Sequence, residues 1–147
     1  MKLSANGEAL IKRFEGYSAN AYLDSDGVPT IGFGHTGYYS PGVPVALGQT
    51  CTPEQAEAWF QSDTAAAQLG VMRLIDRSMT QNQFDALVDF AFNCGVGALA
   101  HSTVRRDFNE GDPLGAANAL LEWDYAGPNV SEGLEARRKA ERELFLS

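Results

Sequence analysis

Two carboxylic acids and one hydroxyl group stand at defined intervals near the start of the sequence. Glu15 is followed after eight residues by Asp24, and Asp24 is followed after five residues by Thr30. Two carboxyl groups in different environments can cleave a glycosidic bond. One of them stays protonated and donates its proton to the leaving oxygen, while the other stays ionised and handles a water molecule or the sugar cation. These three residues are therefore the candidate catalytic group.

The elements around this group predict different environments for the two acids. Apolar residues with helical spacing predict a first helix over residues 4–15 that ends near Gly16. Residues 21–23 and 29–33 are predicted strands joined by a turn at Asp26-Gly27. Glu15 then lies at a helix C-terminus, whose negative potential disfavours a carboxylate. Asp24 lies beside a polar turn and is expected to stay ionised.

Each of the three residues also has a purely structural interpretation. Glu15 alone would be an ordinary surface residue at a helix end, and Asp24 alone would be an ordinary turn residue. Thr30 alone would be a strand residue, because threonine is common in strands. Only the combination favours catalysis.

The rest of the chain is predicted to be mostly helical. Residues 34–51 are rich in glycine and resemble a loop. Thr52-Pro53-Glu54-Gln55 and Thr80-Gln81-Asn82-Gln83 both have the form of a capping box at a helix start. The first of these helices is expected to reach Gly70, and the second is expected to be buried, central and closed by Gly95. Further helix starts are predicted at Ser102, at Asp112-Pro113 and before Leu134.

Composition excludes several classes of function. A chain of 147 residues with 44% hydrophobic residues suits one soluble domain. Its net charge of −8 argues against a nucleic-acid partner, which would require a basic surface. No apolar stretch is long enough for a membrane anchor, and the N-terminus lacks the features of a secretory signal. The arginines and lysine between 137 and 142 form the one candidate anion-binding patch.

The sequence predicts neither a metal site nor a cofactor. Asp24-Ser25-Asp26-Gly27 begins like a calcium loop, but the twelfth position holds His35 where that loop needs a glutamate. The two cysteines, Cys51 and Cys94, are expected to be free buried thiols, although a disulfide between them is an open alternative.

The ordered motifs of the chain resemble the phage-type lysozymes, glycoside hydrolase family 24. Glu15, Asp24 and Thr30 match the spacing of that family's catalytic residues. The resemblance extends over nearly the whole chain through Phe14-Glu15-Gly16, Thr30-Ile31-Gly32-Phe33-Gly34-His35-Thr36, Phe90-Ala91-Phe92-Asn93-Cys94-Gly95 and Arg137-Arg138-Lys139-Ala140-Glu141.

The resemblance implies an α+β, mainly helical, two-lobed lysozyme-like fold in a single catalytic domain over residues 1–147. Its small N-terminal lobe would cover about 16–52 and contain the hairpin. Its larger lobe would cover about 53–147 together with the first helix. The catalytic cleft would lie between the two lobes, where a polymeric substrate can bind.

Family resemblance also suggests three supporting residues. His35 is expected to pair with Asp63 on the helix that joins the lobes. Arg137 resembles an arginine that approaches the catalytic glutamate. The alternative for Arg137 is a solvated helix face on which it pairs with Glu141, four residues further on.

The expected activity is that of an endolysin muramidase acting on peptidoglycan, with Thr30 and Asp24 orienting the attacking water and with inversion at the anomeric carbon. Two alternatives are a lytic transglycosylase, which needs one catalytic acid, and a non-catalytic wall-binding module. The resemblance further implies a monomer without a membrane anchor. It would accumulate in the host cytoplasm and be released by a holin to act on the periplasmic cell wall.

Overall fold

The computed structural model describes residues 1–147 and has a mainly helical α+β fold. Six short strands form three separate antiparallel pairs. The seven helices are α1 (Ala5–Glu15), α2 (Pro53–Leu74), α3 (Gln81–Cys94), α4 (Val96–Ala100), α5 (Thr103–Glu110), α6 (Pro113–Leu120) and α7 (Glu132–Leu146). The strands are β1 (Ser18–Leu23), β2 (Pro29–Gly32), β3 (Tyr38–Ser40), β4 (Val43–Pro44), β5 (Tyr125–Ala126) and β6 (Asn129–Val130).

The chain divides into two compact units. The larger unit combines Met1–Ile11 with Ala66–Ser147, and the smaller unit is Lys12–Ala65. The smaller unit therefore includes the end of α1 and the first half of α2, and it reaches beyond the lobe expected at about 16–52 in both directions. All three candidate catalytic residues belong to this smaller unit.

The hairpin of the smaller unit confirms the predicted turn. Strands β1 and β2 pair in an antiparallel register that sets Tyr22 opposite Thr30 and Leu23 opposite Pro29. The turn between them contains Asp24 and Gly27, and Gly27 has a φ of 78°, which favours glycine. The prediction of a loop throughout 34–51 was wrong in part, because β3 and β4 form a short hairpin there.

Helix α2 begins where the capping box predicts it, but it continues past the predicted end at Gly70 to Leu74. The Thr52 hydroxyl accepts a hydrogen bond from the Gln55 N–H, and the Gln55 side chain accepts one from the Thr52 N–H. Gly70 does not end the helix, because its backbone is not in the left-handed conformation of a C-terminal cap; its missing side chain makes room for Val96 instead. A Cβ atom at position 70 would lie 2.6 Å from both methyl carbons of Val96.

The larger unit is built around α3, the buried helix that the sequence predicted. Its capping box at Thr80 is complete, and residues 84–91 are all buried. Helix α3 ends at Gly95, whose φ of 99° favours glycine. The first turn of α1 is tied to α3, because the Ser4 N–H donates to an Asp85 carboxylate oxygen at 3.1 Å.

The remaining predicted helix starts are confirmed. Ser102, Asp112 and Ser131 cap α5, α6 and α7 through their side chains. Cys51 and Cys94 are free, as expected, although each is half-buried rather than fully buried. None of the helices combines the length and the apolar character that a bilayer crossing requires.

Candidate active site

Glu15 occupies the last position of α1 and is half-buried against the loop that follows β2. The contact on that side is Gly34, whose φ is 73°. A Cβ atom at position 34 would lie 3.1 Å from the carboxyl carbon of Glu15 and closer still to its Oε2. Gly34 therefore serves the site in two ways, since it supplies the left-handed backbone of the loop and leaves space for the acid. Its role was not predicted from the sequence, although the glycine within this motif was the available signal.

Asp24 is held in one orientation by its own turn. Its Oδ1 accepts hydrogen bonds from the N–H groups of Asp26 at 2.9 Å and Val28 at 2.8 Å. The Asp24 backbone also bonds to Val28 and Gly27. Because the turn uses Oδ1, the second carboxylate oxygen remains available to accept a hydrogen bond from a ligand.

Thr30 is 4% exposed and lies on β2. Its hydroxyl donates a hydrogen bond to the Val28 carbonyl oxygen at 2.8 Å. This bond uses the only hydrogen of the hydroxyl, so the Thr30 oxygen can serve a ligand only as an acceptor. Asp24 and Thr30 thus present two acceptors, both fixed by bonds to Val28.

Tyr22 stands directly opposite Thr30 in the hairpin and was not singled out by the sequence. Burial raises the pKa of the Tyr22 phenol, and the negative charges of Glu15 and Asp24 raise it further. The phenol therefore lies within the electric field of both candidate acids. This result indicates that the end of α1 and the hairpin gather Glu15, Asp24, Tyr22 and Thr30 in one region of the smaller unit.

His35 clamps the loop that carries Gly34. Its Nδ1 lies 2.8 Å from Oδ2 of Asp63, so the pair that the resemblance implies is formed. Its Nε2 lies 2.7 Å from the Tyr38 carbonyl oxygen, and its ring stacks on Trp59 at 4.7 Å between centroids. Backbone bonds of 2.9 Å in both directions join His35 to Ile31. The arrangement fixes a tight loop and supports Glu15 only indirectly, through Gly34.

Arg137 is buried in the larger unit, where it makes a two-pronged ion pair. Its Nε and one terminal nitrogen donate to the two carboxylate oxygens of Asp89, at 3.1 and 2.7 Å. The alternative of a solvated helix face is wrong, since Arg137 is 4% exposed and its Nε is 4.0 Å from Glu141. The pairing with Glu141 is a long contact within a buried cluster.

The expected anion-binding patch is also wrong. Arg138 is fully buried, and one of its terminal nitrogens lies 2.6 Å from the Asn93 side-chain oxygen and 2.9 Å from a Glu141 oxygen. Lys139 is exposed but pairs with Glu135, and Arg142 bonds to Asn118. Arg137 and Arg138 lie on the buried face of α7, where Asp89 and Asn93 of α3 accept their hydrogen bonds. Because these acceptors belong to another helix, the sequence of α7 alone does not predict the burial.

No group of three or more histidine, cysteine or acidic side chains is arranged to hold a metal ion. What the site offers is one carboxyl group at a helix end, one oriented carboxylate, one acceptor hydroxyl and one exposed phenol. These groups suit proton donation to one side of a bond and the holding of a water molecule on another.

Comparisons with known proteins agree with this chemistry. The family model described as phage lysozyme matches residues 12–141. The endolysin of Salmonella phage P22 is 42% identical over 149 residues, covering all of this chain and 99% of the relative.

Two solved structures are similar over nearly their whole length. An endolysin from Escherichia coli O157:H7 phage FAHEc1 has a TM-score of 0.92 at 38% identity, covering 100% of this chain and 94% of the other. The muramidase domain of SpmX from Asticaccaulis excentricus has a TM-score of 0.89 at 39% identity, covering 99% and 98%.

Proposed function

This chain belongs to the phage lysozyme family, and from that premise we propose that Glu15, Asp24 and Thr30 carry out the hydrolysis. The protein is a glycoside hydrolase, an endolysin muramidase of host cell lysis. Its substrate is bacterial peptidoglycan, in which it hydrolyses the β-1,4 bond between N-acetylmuramic acid and N-acetylglucosamine. The observation that carries the assignment of residues is the pair of fixed acceptors at Asp24 and Thr30, gathered with Glu15 in one unit.

Glu15 acts as the general acid. Its protonated carboxyl group donates a proton to the glycosidic oxygen as the bond from that oxygen to the anomeric carbon breaks. Gly34 packs against this carboxyl group and restricts where it can point. The acid thereby keeps a defined position toward the leaving sugar.

Asp24 and Thr30 hold the attacking water. The available oxygen of Asp24 accepts one hydrogen of the water, and the Thr30 hydroxyl oxygen accepts the other, because its own hydrogen is donated to Val28. A water molecule held by both hydrogens directs a lone pair at the anomeric carbon. As the new bond to this carbon forms, the water's proton passes to Asp24.

This geometry favours inversion of the anomeric configuration. The water attacks opposite the departing oxygen, and no covalent sugar–enzyme intermediate is required. Proton NMR of a soluble oligosaccharide during digestion follows the first anomer released. We expect the α anomer from the β-linked substrate, while initial release of the β anomer would contradict the proposed roles of Asp24 and Thr30.

The assignment of Glu15 is tested by Glu15→Gln in a turbidity assay on permeabilised Gram-negative cells. Glutamine keeps the shape of the side chain but cannot donate a carboxylic proton, so we expect at least a ~100-fold loss of lysis. Glu54→Gln is the matched control, because Glu54 is exposed in the same unit. Circular dichroism of both variants checks that folding is retained. Lysis by folded Glu15→Gln at the rate of the control would exclude Glu15 as the acid.

The lytic transglycosylase is the less favoured alternative. In that reaction a hydroxyl of the substrate attacks internally, so neither Asp24 nor Thr30 would be needed. A non-catalytic wall-binding module would require none of the three residues. The water-holding arrangement around Val28 supports hydrolysis over both.

We also propose that the protein is monomeric and collects in the host cytoplasm until a holin releases it to the periplasmic wall. The proposal follows from the membership of the chain in the phage lysozyme family. Expression of the chain in Escherichia coli with and without a holin tests it. We expect lysis only with the holin, and prompt lysis without it would contradict this route.

A further inference from the structure

Tyr22 lies beside both water-holding residues of the β1–β2 hairpin. It is the direct cross-strand partner of Thr30, and directly opposed side chains in an antiparallel pair lie about 5 Å apart on the same face. Asp24 follows two residues later, at the start of the turn, and its negative charge is close enough to raise the pKa of the Tyr22 phenol. Tyr22 is therefore an immediate neighbour of the proposed water site.

The hydroxyl of Tyr22, unlike its partly buried ring, has no structural task inside the protein. The hydroxyl forms no hydrogen bond with any protein group, and 37% of the residue is exposed. Tyr39 in the same unit shows the contrast, since its hydroxyl donates to the Thr50 carbonyl oxygen at 2.7 Å. A tyrosine placed for packing usually satisfies its hydroxyl in this way. The Tyr22 hydroxyl has no such partner, and its residue lies opposite Thr30 and within range of the charges of Glu15 and Asp24.

The Tyr22 hydroxyl is in the neutral form that can donate a hydrogen bond, as an ordinary phenol is near neutral pH, and its surroundings reinforce that form. The carboxylates of Glu15 and Asp24 and the partial burial of the ring all disfavour the phenolate. A neutral phenol between two acids combines an apolar ring with a polar tip. Sugars present the matching surface, because their rings carry C–H faces and hydroxyl oxygens.

We propose that Tyr22 is a substrate-binding residue that contacts the sugar at the bond being cleaved. Its hydroxyl donates a hydrogen bond to an oxygen of that sugar, and its ring packs against the sugar's C–H groups. The inference rests on the proposed function of Glu15, Asp24 and Thr30. It adds a fourth residue, which holds the sugar in place while the three others act on the bond.

The test compares Tyr22→Phe, which removes only the hydroxyl, with the wild type on soluble peptidoglycan oligosaccharides. We expect kcat/KM to fall about fivefold to tenfold, because one hydrogen bond to the substrate is lost. Tyr38→Phe is the matched control, since Tyr38 is 65% exposed in the same unit, and it should keep wild-type kinetics. Thermal unfolding of Tyr22→Phe should match the wild type, because the lost hydroxyl had no protein partner.

Binding supplies a second readout without turnover. In the Glu15→Gln background, calorimetry with a peptidoglycan tetrasaccharide should show a Kd about fivefold weaker when Tyr22→Phe is added. Equal kcat/KM and equal Kd with and without the hydroxyl would overturn the inference about Tyr22 alone. If Glu15→Gln retained full activity, the proposed function itself would fail. The two failures are therefore distinguishable.

Discussion

At the scale of single residues, the chemistry depends on the hydrogen-bonding capacity that each side-chain oxygen retains once its bonds within the protein are formed. The Thr30 hydroxyl donates its hydrogen to the Val28 carbonyl oxygen and can therefore only accept a further hydrogen bond. The Asp24 Oδ1 accepts hydrogen bonds from two backbone N–H groups, while Oδ2 remains available to accept one from a ligand. Both residues are oriented by the protein before any substrate arrives, which is the condition for effective positioning of a water molecule.

Thr30→Val and Thr30→Ser separate the hydroxyl from the shape of the side chain. Valine has nearly the same volume but no oxygen, so we expect kcat to fall about 100-fold because the water loses one of its two acceptors. Serine retains the oxygen and should keep most of the activity. Steady-state kinetics on soluble peptidoglycan measures both, and equal loss in the two variants would indicate a packing role for Thr30.

Gly34→Ala tests the support of the acid. The added methyl group would overlap the Glu15 carboxyl group, and the backbone φ of 73° is unfavourable for alanine. We expect a loss of stability of about 1 kcal/mol and a loss of activity that exceeds what the stability change explains.

Gly37→Ala is the control for this variant. Gly37 has a φ of 87° in the same region, but no atom lies within 4 Å of where its Cβ would be. It should lose similar stability and keep its activity. Equal activity in the two variants, measured by lysis at a temperature where both are folded, would mean that Gly34 does not position Glu15.

At the scale of elements, the His35–Asp63 pair joins the loop after β2 to α2. Asp63→Ala removes the carboxylate that faces Nδ1 across 2.8 Å, and both side chains are largely shielded from water. We expect the free energy of unfolding to fall by about 1–2 kcal/mol, as for a charged hydrogen bond that is partly buried. Urea denaturation measures it, with exposed Glu54→Ala on the same helix as control. A change no larger than the control's would show that the pair does not hold the loop.

Local signals predicted the elements well, and tertiary contacts explain the differences. The capping boxes at Thr52 and Thr80 concern residues three apart, so the sequence alone predicts those helix starts. The glycine at position 70 within α2 is explained by the close approach of Val96, which is remote in sequence. The β3–β4 hairpin lacks the alternating apolar residues that mark a strand, because its side chains are largely exposed.

The distinction between local sequence signals and tertiary contacts also applies to the candidate active site. Spacing and motif resemblance brought Glu15, Asp24 and Thr30 forward, since these positions are close along the chain. Tyr22 and Gly34 were within the same stretch, but their importance lies in cross-strand pairing and in a close approach to Glu15. The burial of Arg137 depends on Asp89, 48 residues away, and no pattern on α7 alone predicts it.

At the scale of the whole molecule, a buried charge cluster joins α3 to α7. It consists of Asp89, Arg137, Arg138 and Glu141, all less than 5% exposed. Burial raises the pKa of Glu141 well above its ordinary value of 4.5, and the neighbouring Asp89 raises it further against the opposing effect of the arginines. Neither Glu141 oxygen has a hydrogen-bond partner of good geometry.

This cluster predicts a pH-dependent stability. Because the Glu141 pKa is higher in the folded state than in the unfolded state, its contribution is fully present below about pH 4.5 and is lost as the pH rises through the raised value. Glu141→Gln stays neutral, so we expect its stability relative to wild type to increase from about pH 4.5 toward neutral pH.

Urea denaturation of both proteins across this range measures the difference. Glu143→Gln, an exposed change on the same helix, is the control and should show little pH dependence relative to wild type. A Glu141→Gln difference that stays constant with pH would contradict the raised pKa. The mostly helical fold itself follows from sequence pattern, but this cluster emerges only when α3 and α7 are packed together.

The most direct test of the account is digestion of peptidoglycan in water enriched in heavy oxygen, followed by mass spectrometry of the fragments. We expect each new N-acetylmuramic acid end to carry one heavy oxygen, because a water molecule held by Asp24 and Thr30 attacks the anomeric carbon. Glu15→Gln should yield no such fragments. Unlabelled fragments lighter by one water would show internal attack by the substrate and contradict the account.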